Sequence, residues 1–156
     1  MNIDEQLMQQ AIDACRRGIE QGQTPFGACI ARRGDVLACT HNHVWLTTDP
    51  TAHAEVHCIR QACREAGTID LDDATIYSTT EPCPMCFGAI YWARIRRIVY
   101  GCSIRDAADA GFKELHISNQ HLKEAGRAEI QIEPGFMREP CLELFHQWKK
   151  RGGRAY

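Results

Sequence analysis

The stretch TIYSTTEPCPMCFGAIYWARIRRIVYG, Thr75 to Gly101, decides the architecture. It reads as an apolar run at Thr75 to Ser78, a helix from Pro84 to about Ala93, and a second apolar run at Arg97 to Gly101. Short apolar runs of this kind mark buried strands, and two strands of one sheet joined through a helix lie parallel. Upstream, a helical pattern from about Thr51 to Ala66 is stopped by Gly67, so strand and helix alternate from there onward. Earlier still, Phe26 to Ala31 and Val36 to Cys39 flank Gly34 and Asp35, the pattern of an antiparallel hairpin. Ile3, Leu7, Met8, Ala11, Ile12, Cys15 and Ile19 recur at helical spacing and predict a first helix ending between Gly18 and Gly22. Downstream, Glu129 to Ile132 reads as a fifth strand and Met137 to Lys150 as a closing amphipathic helix. The rest of Lys113 to Pro140 shows no clear element. The expectation is an α/β fold, a three-layer α/β/α sandwich on a mixed five-stranded sheet, with residues 1–156 as a single domain.

Composition narrows the function. The chain has 156 residues, with 18 Lys and Arg against 20 Asp and Glu, a formal net charge of −2. A chain of this size buries about 70% of its unfolded surface and needs no disulfide staple. Nine cysteines are an odd number and too few for a disulfide scaffold, which points to a reducing, cytoplasmic setting. Met1 to Glu5 carries acids where a secretory leader would carry bases. The longest stretch without Asp, Glu, Lys or Arg, Val36 to Thr48, includes His41, Asn42 and His43, so no membrane span is expected. Near-neutral charge argues against a broad basic face for nucleic acid.

The chemistry concentrates in two segments: Asp49-Pro50-Thr51-Ala52-His53-Ala54-Glu55 and Glu81-Pro82-Cys83-Pro84-Met85-Cys86. Proline suits a first helical position because its missing N–H would be unpaired there. Pro50 and Pro84 are therefore both read as helix starts, capped by Asp49 or Thr51 and by Cys83. Cys83 and Cys86 share one side of a first turn, where the partial positive charge of a helix N-terminus favours thiolates. No second Cys-x-x-Cys is present to close a structural zinc site. A catalytic site keeps a position for water, and one histidine would complete it. His53 is that candidate because Glu55 could stand beside the water as a proton carrier. His57 offers a His-x-x-x-His alternative, but the zincin motif places Glu directly after the first His, where this chain has Ala54.

His53-x-Glu55 followed by Pro82-Cys83-x-x-Cys86 resembles the signature of the zinc-dependent nucleobase and nucleoside deaminases. Both segments above are similar to those of bacterial guanine deaminases. So are Pro25-Phe26-Gly27-Ala28, Ala89-Ile90-Tyr91-Trp92-Ala93-Arg94 and Asp106-Ala107-Ala108-Asp109-Ala110-Gly111-Phe112. The resemblance spans about residues 5 to 115 and fades from Ile117 to Pro140. It implies a cytidine deaminase-like fold and Zn²⁺ held by His53, Cys83 and Cys86. It also implies Glu55 as catalytic proton shuttle, in a reaction taking guanine and water to xanthine and ammonia. Phe26 and His53 would sandwich the purine, Asn42 would bind its polar edge, and Glu114 would reach the amino group as a second acid. Glu114 is a departure from a guanine deaminase of this family that carries Asp at the matching position. Trp92 is a further candidate substrate contact, although its apolar helix suits core or dimer packing better. The family also implies a homodimer that exchanges C-terminal tails, residues 149–156 here. Gly152 and Gly153 would allow the crossing, and Tyr156 would close the partner's pocket. The plain alternative is a basic end that frays.

The other seven cysteines read as small core residues. His41, His43, His57, His116, His121 and His146 read as surface or core histidines, with His43 the strongest of them for a substrate role beside Asn42. Arg94, Arg96 and Arg97 read as a solvated helix end. The runner-up function is a tRNA adenosine deaminase, which shares both metal elements. Guanosine, cytosine or a triazine would need only pocket changes, and a non-enzymatic zinc module is disfavoured by Glu55 and the three-ligand count.

Overall fold

A computed structural model describes residues 1–156. Strands β1 (Gly27–Arg32), β2 (Asp35–His41), β3 (Ala74–Thr80), β4 (Arg97–Cys102) and β5 (Gln131–Glu133) form one sheet in the order β2-β1-β3-β4-β5. β1 is antiparallel to β2 and β3, while β3, β4 and β5 run parallel, so the sheet is mixed as expected. The β1–β2 turn is Arg33-Gly34, whose φ values of 52° and 90° are both positive, as a tight hairpin turn requires. No helix is long and apolar enough to cross a membrane.

Strand side chains alternate between faces, and this sheet buries both. Cys29, Ala31, Tyr77, Val99 and Cys102 face one core, covered by α1 (Ile3–Glu20) and α7 (Arg138–Lys150). Ala28, Ile30, Ile76, Ile98 and Tyr100 face the other, covered by α3 (Ala54–Ala66) and α4 (Pro84–Trp92). These are the three layers. Glycines allow the closest approaches: a Cβ on Gly27 would strike the Ala11 carbonyl of α1, and one on Gly101 would strike the Cys141 side chain of α7. All nine cysteines are free, five of the seven outside the Cys83–Cys86 pair being fully buried.

Two local readings need correction. Pro50 does not open α3. Asp49 Oδ1 accepts the Thr51 backbone N–H at 2.8 Å, which makes a turn of this segment, and the helix begins at Ala54 with His53 as its N-cap residue. The unassigned stretch after Lys113 contains α6 (Asn119–Gly126), whose first turn is capped by the Ser118 hydroxyl, and then β5, shifted from the expected Glu129–Ile132 to Gln131–Glu133. Two further short helices, α2 (Val44–Thr47) and α5 (Ile104–Asp109), were not anticipated; α5 opens with a Ser103–Asp106 capping box.

Candidate active site

The site forms where α3 and α4 start side by side. His53 and Cys83 are the N-cap residues of these helices, both with extended backbone (ψ 155° and 167°), and neither side chain caps its own helix. Both are thereby free to point between the helices. Cys86 lies in the first turn of α4, where Pro84 occupies the start as expected. His53 Nδ1 is 3.5 Å from each sulfur, Cys83 Sγ and Cys86 Sγ. A tetrahedral zinc with ordinary Zn–S and Zn–N bonds separates such atoms by about 3.6 Å, so the donor set fits the ion without rearrangement. The Cys86 hydrogen bond lowers Cys83 to about 4, helped by His53, which makes a thiolate available to a metal.

Glu55, the second residue of α3 and buried, places Oε2 3.5 Å from Cys86 Sγ and Oε1 3.1 Å from Ser78 Oγ. Burial pushes its carboxyl above the ordinary range. Glu114 faces the same cavity, where burial and the Cys83 charge raise it to about 7. The cavity beside these groups is about 30 Å³, walled by Phe26, Thr80 and Tyr156, and a larger groove of about 330 Å³ opens outside between Pro50, Met85 and Leu115. Tyr156 borders both spaces.

Glu81 and Asn119 hold the cysteine loop in place. The two Glu81 oxygens accept the backbone N–H groups of Ile104 (3.0 Å) and Asn119 (2.9 Å), and Asn119 Nδ2 donates to the Pro82 carbonyl at 2.6 Å. Both side chains are buried, so this clamp joins β3, α5 and α6 directly beneath Cys83.

The fold thus brings His53, Cys83, Cys86, Glu55, Glu114, Phe26 and Tyr156 to one cavity. Asn42 lies behind the Tyr156 ring and donates from Nδ2 to its hydroxyl at 2.8 Å. Trp92 does not join them. It is 78% exposed and packs edge-on against Tyr91. At 1.5 Å per residue, α4 carries it about 9 Å along its axis from Cys86 and about 13 Å from Cys83. His43 is likewise elsewhere, stacked between His41 and His57 at centroid distances of 4.5 and 4.0 Å. The tail, expected to cross to a partner, here folds onto its own chain. Gly152 turns it at φ 69°, Gly153 passes against the Trp148 ring, and Trp45 Nε1 donates to the Arg154 carbonyl at 3.0 Å. Ser78, Trp45 and Asn119 were not singled out from sequence, since nothing in their spacing marks them. Glu81 stood inside the quoted motif, and its clamp was visible only once α5 and α6 were placed.

The chain matches the family described as cytidine and deoxycytidylate deaminase zinc-binding region over residues 1–102. It belongs to that family. Zinc is therefore its cofactor, and the enzyme is a zinc-dependent hydrolytic deaminase. The guanine deaminase of Bacillus subtilis (strain 168) is 40% identical to it over 146 residues, 93% of each chain. The tRNA-specific adenosine deaminase of the same organism is 33% identical over 141 residues, covering 90% of this chain and 85% of that one. A crystal structure of guanine deaminase from B. subtilis superposes with a TM-score of 0.68 at 46% identity, covering 71% of each chain.

Proposed function

We propose that this deaminase acts on a free purine base, guanine, giving xanthine and ammonia. The observation that carries this reading is Tyr156, which with His53, Cys83 and Glu114 borders both the inner cavity and the outer groove and is, of these four, the one carried on the chain's tail. A lid can shut over a free base, whereas a nucleotide flipped out of an RNA has two backbone arms that must leave the pocket. The match to a guanine deaminase over 93% of both chains supports it.

Zinc bound by His53, Cys83 and Cys86 would supply the Lewis acidity that brings a water's pKa from 15.7 toward about 7. Glu55 Oε2 takes the proton of the attacking water and returns it to a purine ring nitrogen, and the raised basicity that burial gives this carboxylate suits both transfers. Oxygen adds at the carbon bearing the amino group, the remaining hydroxyl proton passes through Glu55 to that nitrogen, and the C–N bond breaks as the C=O bond forms, so the nitrogen leaves as ammonia. Glu114 accepts hydrogen bonds from the amino group or the adjacent ring N–H, Asn42 serves the opposite polar edge with the amide N–H that Tyr156 does not take, and the Phe26 ring lies against the base. Glu114 faces this cavity, which supports that role.

We also infer that two chains pair in the cytoplasm and exchange C-terminal segments, residues 1–156 otherwise acting as one unit. The relative from B. subtilis aligns in sequence over 93% of both chains, yet its crystal structure superposes over only 71%. A tail that runs to a neighbouring subunit would account for part of that shortfall. The contacts made here within one chain would then be made between two.

Ammonia release measured over guanine, guanosine, adenine, cytosine, cytidine and a tRNA anticodon stem tests the substrate. Guanine should exceed every other by at least about a hundredfold in kcat/KM. Preference for the anticodon stem would replace this reading with the tRNA one, which the aromatic groove at Tyr91 and Trp92, flanked by Arg94, Arg96 and Arg127, also accommodates.

A further inference from the structure

We infer that Trp45 is the latch of the lid, a positioning residue that sets how firmly Tyr156 stays closed over the bound base. This rests on the reading of Tyr156 as a lid over a guanine site. One indole makes three contacts with the same tail. Its Nε1 donates to the Arg154 carbonyl at 3.0 Å, the Arg154 guanidinium carbon lies 3.7 Å from its centroid, and the Tyr156 ring meets it edge-on at 6.1 Å. The neighbouring Asn42 completes the dock. Its Oδ1 accepts the Val44 N–H at 2.9 Å, which anchors the start of α2, and its Nδ2 donates to the Tyr156 hydroxyl. Asn42 and Trp45 thus present a polar hook and an aromatic plate on one short element, and the tail supplies a partner for each.

The strength of these contacts suits a part that must release. A hydrogen bond or a cation over an exposed ring favours the closed state by a factor of about two to ten each. Such a latch holds a lid shut during the chemical step and still lets it open on every turnover. The inner cavity of about 30 Å³ cannot admit a purine while Tyr156 occupies its present place. Guanine must therefore displace the Tyr156 ring on the way in, and Trp45 lets the rest of the tail stay docked or return.

Carboxypeptidase A, which removes a C-terminal aromatic residue, reads the latch without substrate. On the zinc-loaded chain, Trp45→Ala should release Tyr156 about tenfold faster than the parent, and Arg154→Ala, which keeps the carbonyl that Trp45 Nε1 donates to, about threefold, because proteolysis follows the open population. Trp45→Phe keeps a ring for the guanidinium and should fall between. The double variant should be no faster than Trp45→Ala, since both changes break one clasp. In turnover, Trp45→Ala should raise the KM for guanine about tenfold with kcat changed less than about twofold. Parent-like tyrosine release from Trp45→Ala would overturn the latch, as would a fall in kcat and zinc content at unchanged KM. If the parent itself fails to turn over guanine, the substrate reading falls, and tyrosine release still decides whether Trp45 holds the tail.

Discussion

Two regions meet at the same cavity and are held by different means. At the zinc cradle, His53 and Cys83 take their positions from two adjacent helix starts and from the Glu81–Asn119 clamp. At the proposed lid, Tyr156 is placed by contacts to Asn42, to the rings of Phe112 and His53 and, through Arg154, to Trp45. The cradle is built from backbone geometry that two packed helices enforce, so it is preorganised before zinc or substrate arrives. The tail, Arg151 to Tyr156, has no helix or strand to fix it and is held by separate side-chain contacts, the arrangement the proposed lid needs in order to move. Chemistry needs the first property and substrate exchange needs the second.

The largest effect should come from the cradle side. Glu55→Gln keeps its size and its Ser78 neighbour but cannot carry the proton, and kcat should fall by about a thousandfold. Zinc by mass spectrometry should remain near one per chain, and ordinary turnover in this variant would remove the shuttle role. Next in size, Asn119→Ala frees the Pro82 carbonyl and loosens the cysteine loop. Zinc affinity, measured by chelator competition, should drop by about ten- to a hundredfold, as when a partner behind a metal ligand is lost. Parent-like affinity would mean that the helix starts alone hold the cradle.

Smaller effects belong to the lid. Removing Arg151 to Tyr156 should raise the KM for guanine by about tenfold while zinc content and the midpoint of urea unfolding stay put. A loss of zinc would erase the distinction between the two regions. The smallest effect concerns the loop beneath the lid. Burial, with His57 and His41 adding, lowers His43 to about 4 from its ordinary value of 6.5. Its neutral form is the one the fold favours, so the unfolded chain binds the extra proton between these values. Stability is full above pH 6.5 and declines as pH falls toward about 4. Urea titrations across that window should show a shallower decline for His43→Gln, and an equal slope would place the acid sensitivity elsewhere.

Much of this was legible before any coordinates. The hairpin, the β3-α4-β4 unit and the closing helix follow from apolar periodicity and from Gly67, Gly34 and Pro84 as stop and start signals. The metal-binding set was legible because ligand chemistry demands particular residue types at short spacing. Where the reading went astray, a local signal had two outcomes. Asp49-Pro50-Thr51 can open a helix or make an isolated turn, and the packing of α3 against β1 and β2 selected the turn. Trp92 is aromatic on an apolar helix, and only the length and direction of α4 show that it ends at the surface.

The sequence by itself determined the layered fold and marked His53, Cys83 and Cys86 as a donor set for zinc with Glu55 beside them, because each depends on residue type and on short separations. Tertiary structure alone decided that Glu81 and Asn119 clamp the cysteine loop and that Trp45 and Asn42 receive the tail. Those partners lie 38 and 109–114 residues apart, and no periodicity reaches across such distances. Their pairing is set by where the sheet and its crossovers bring the chain back.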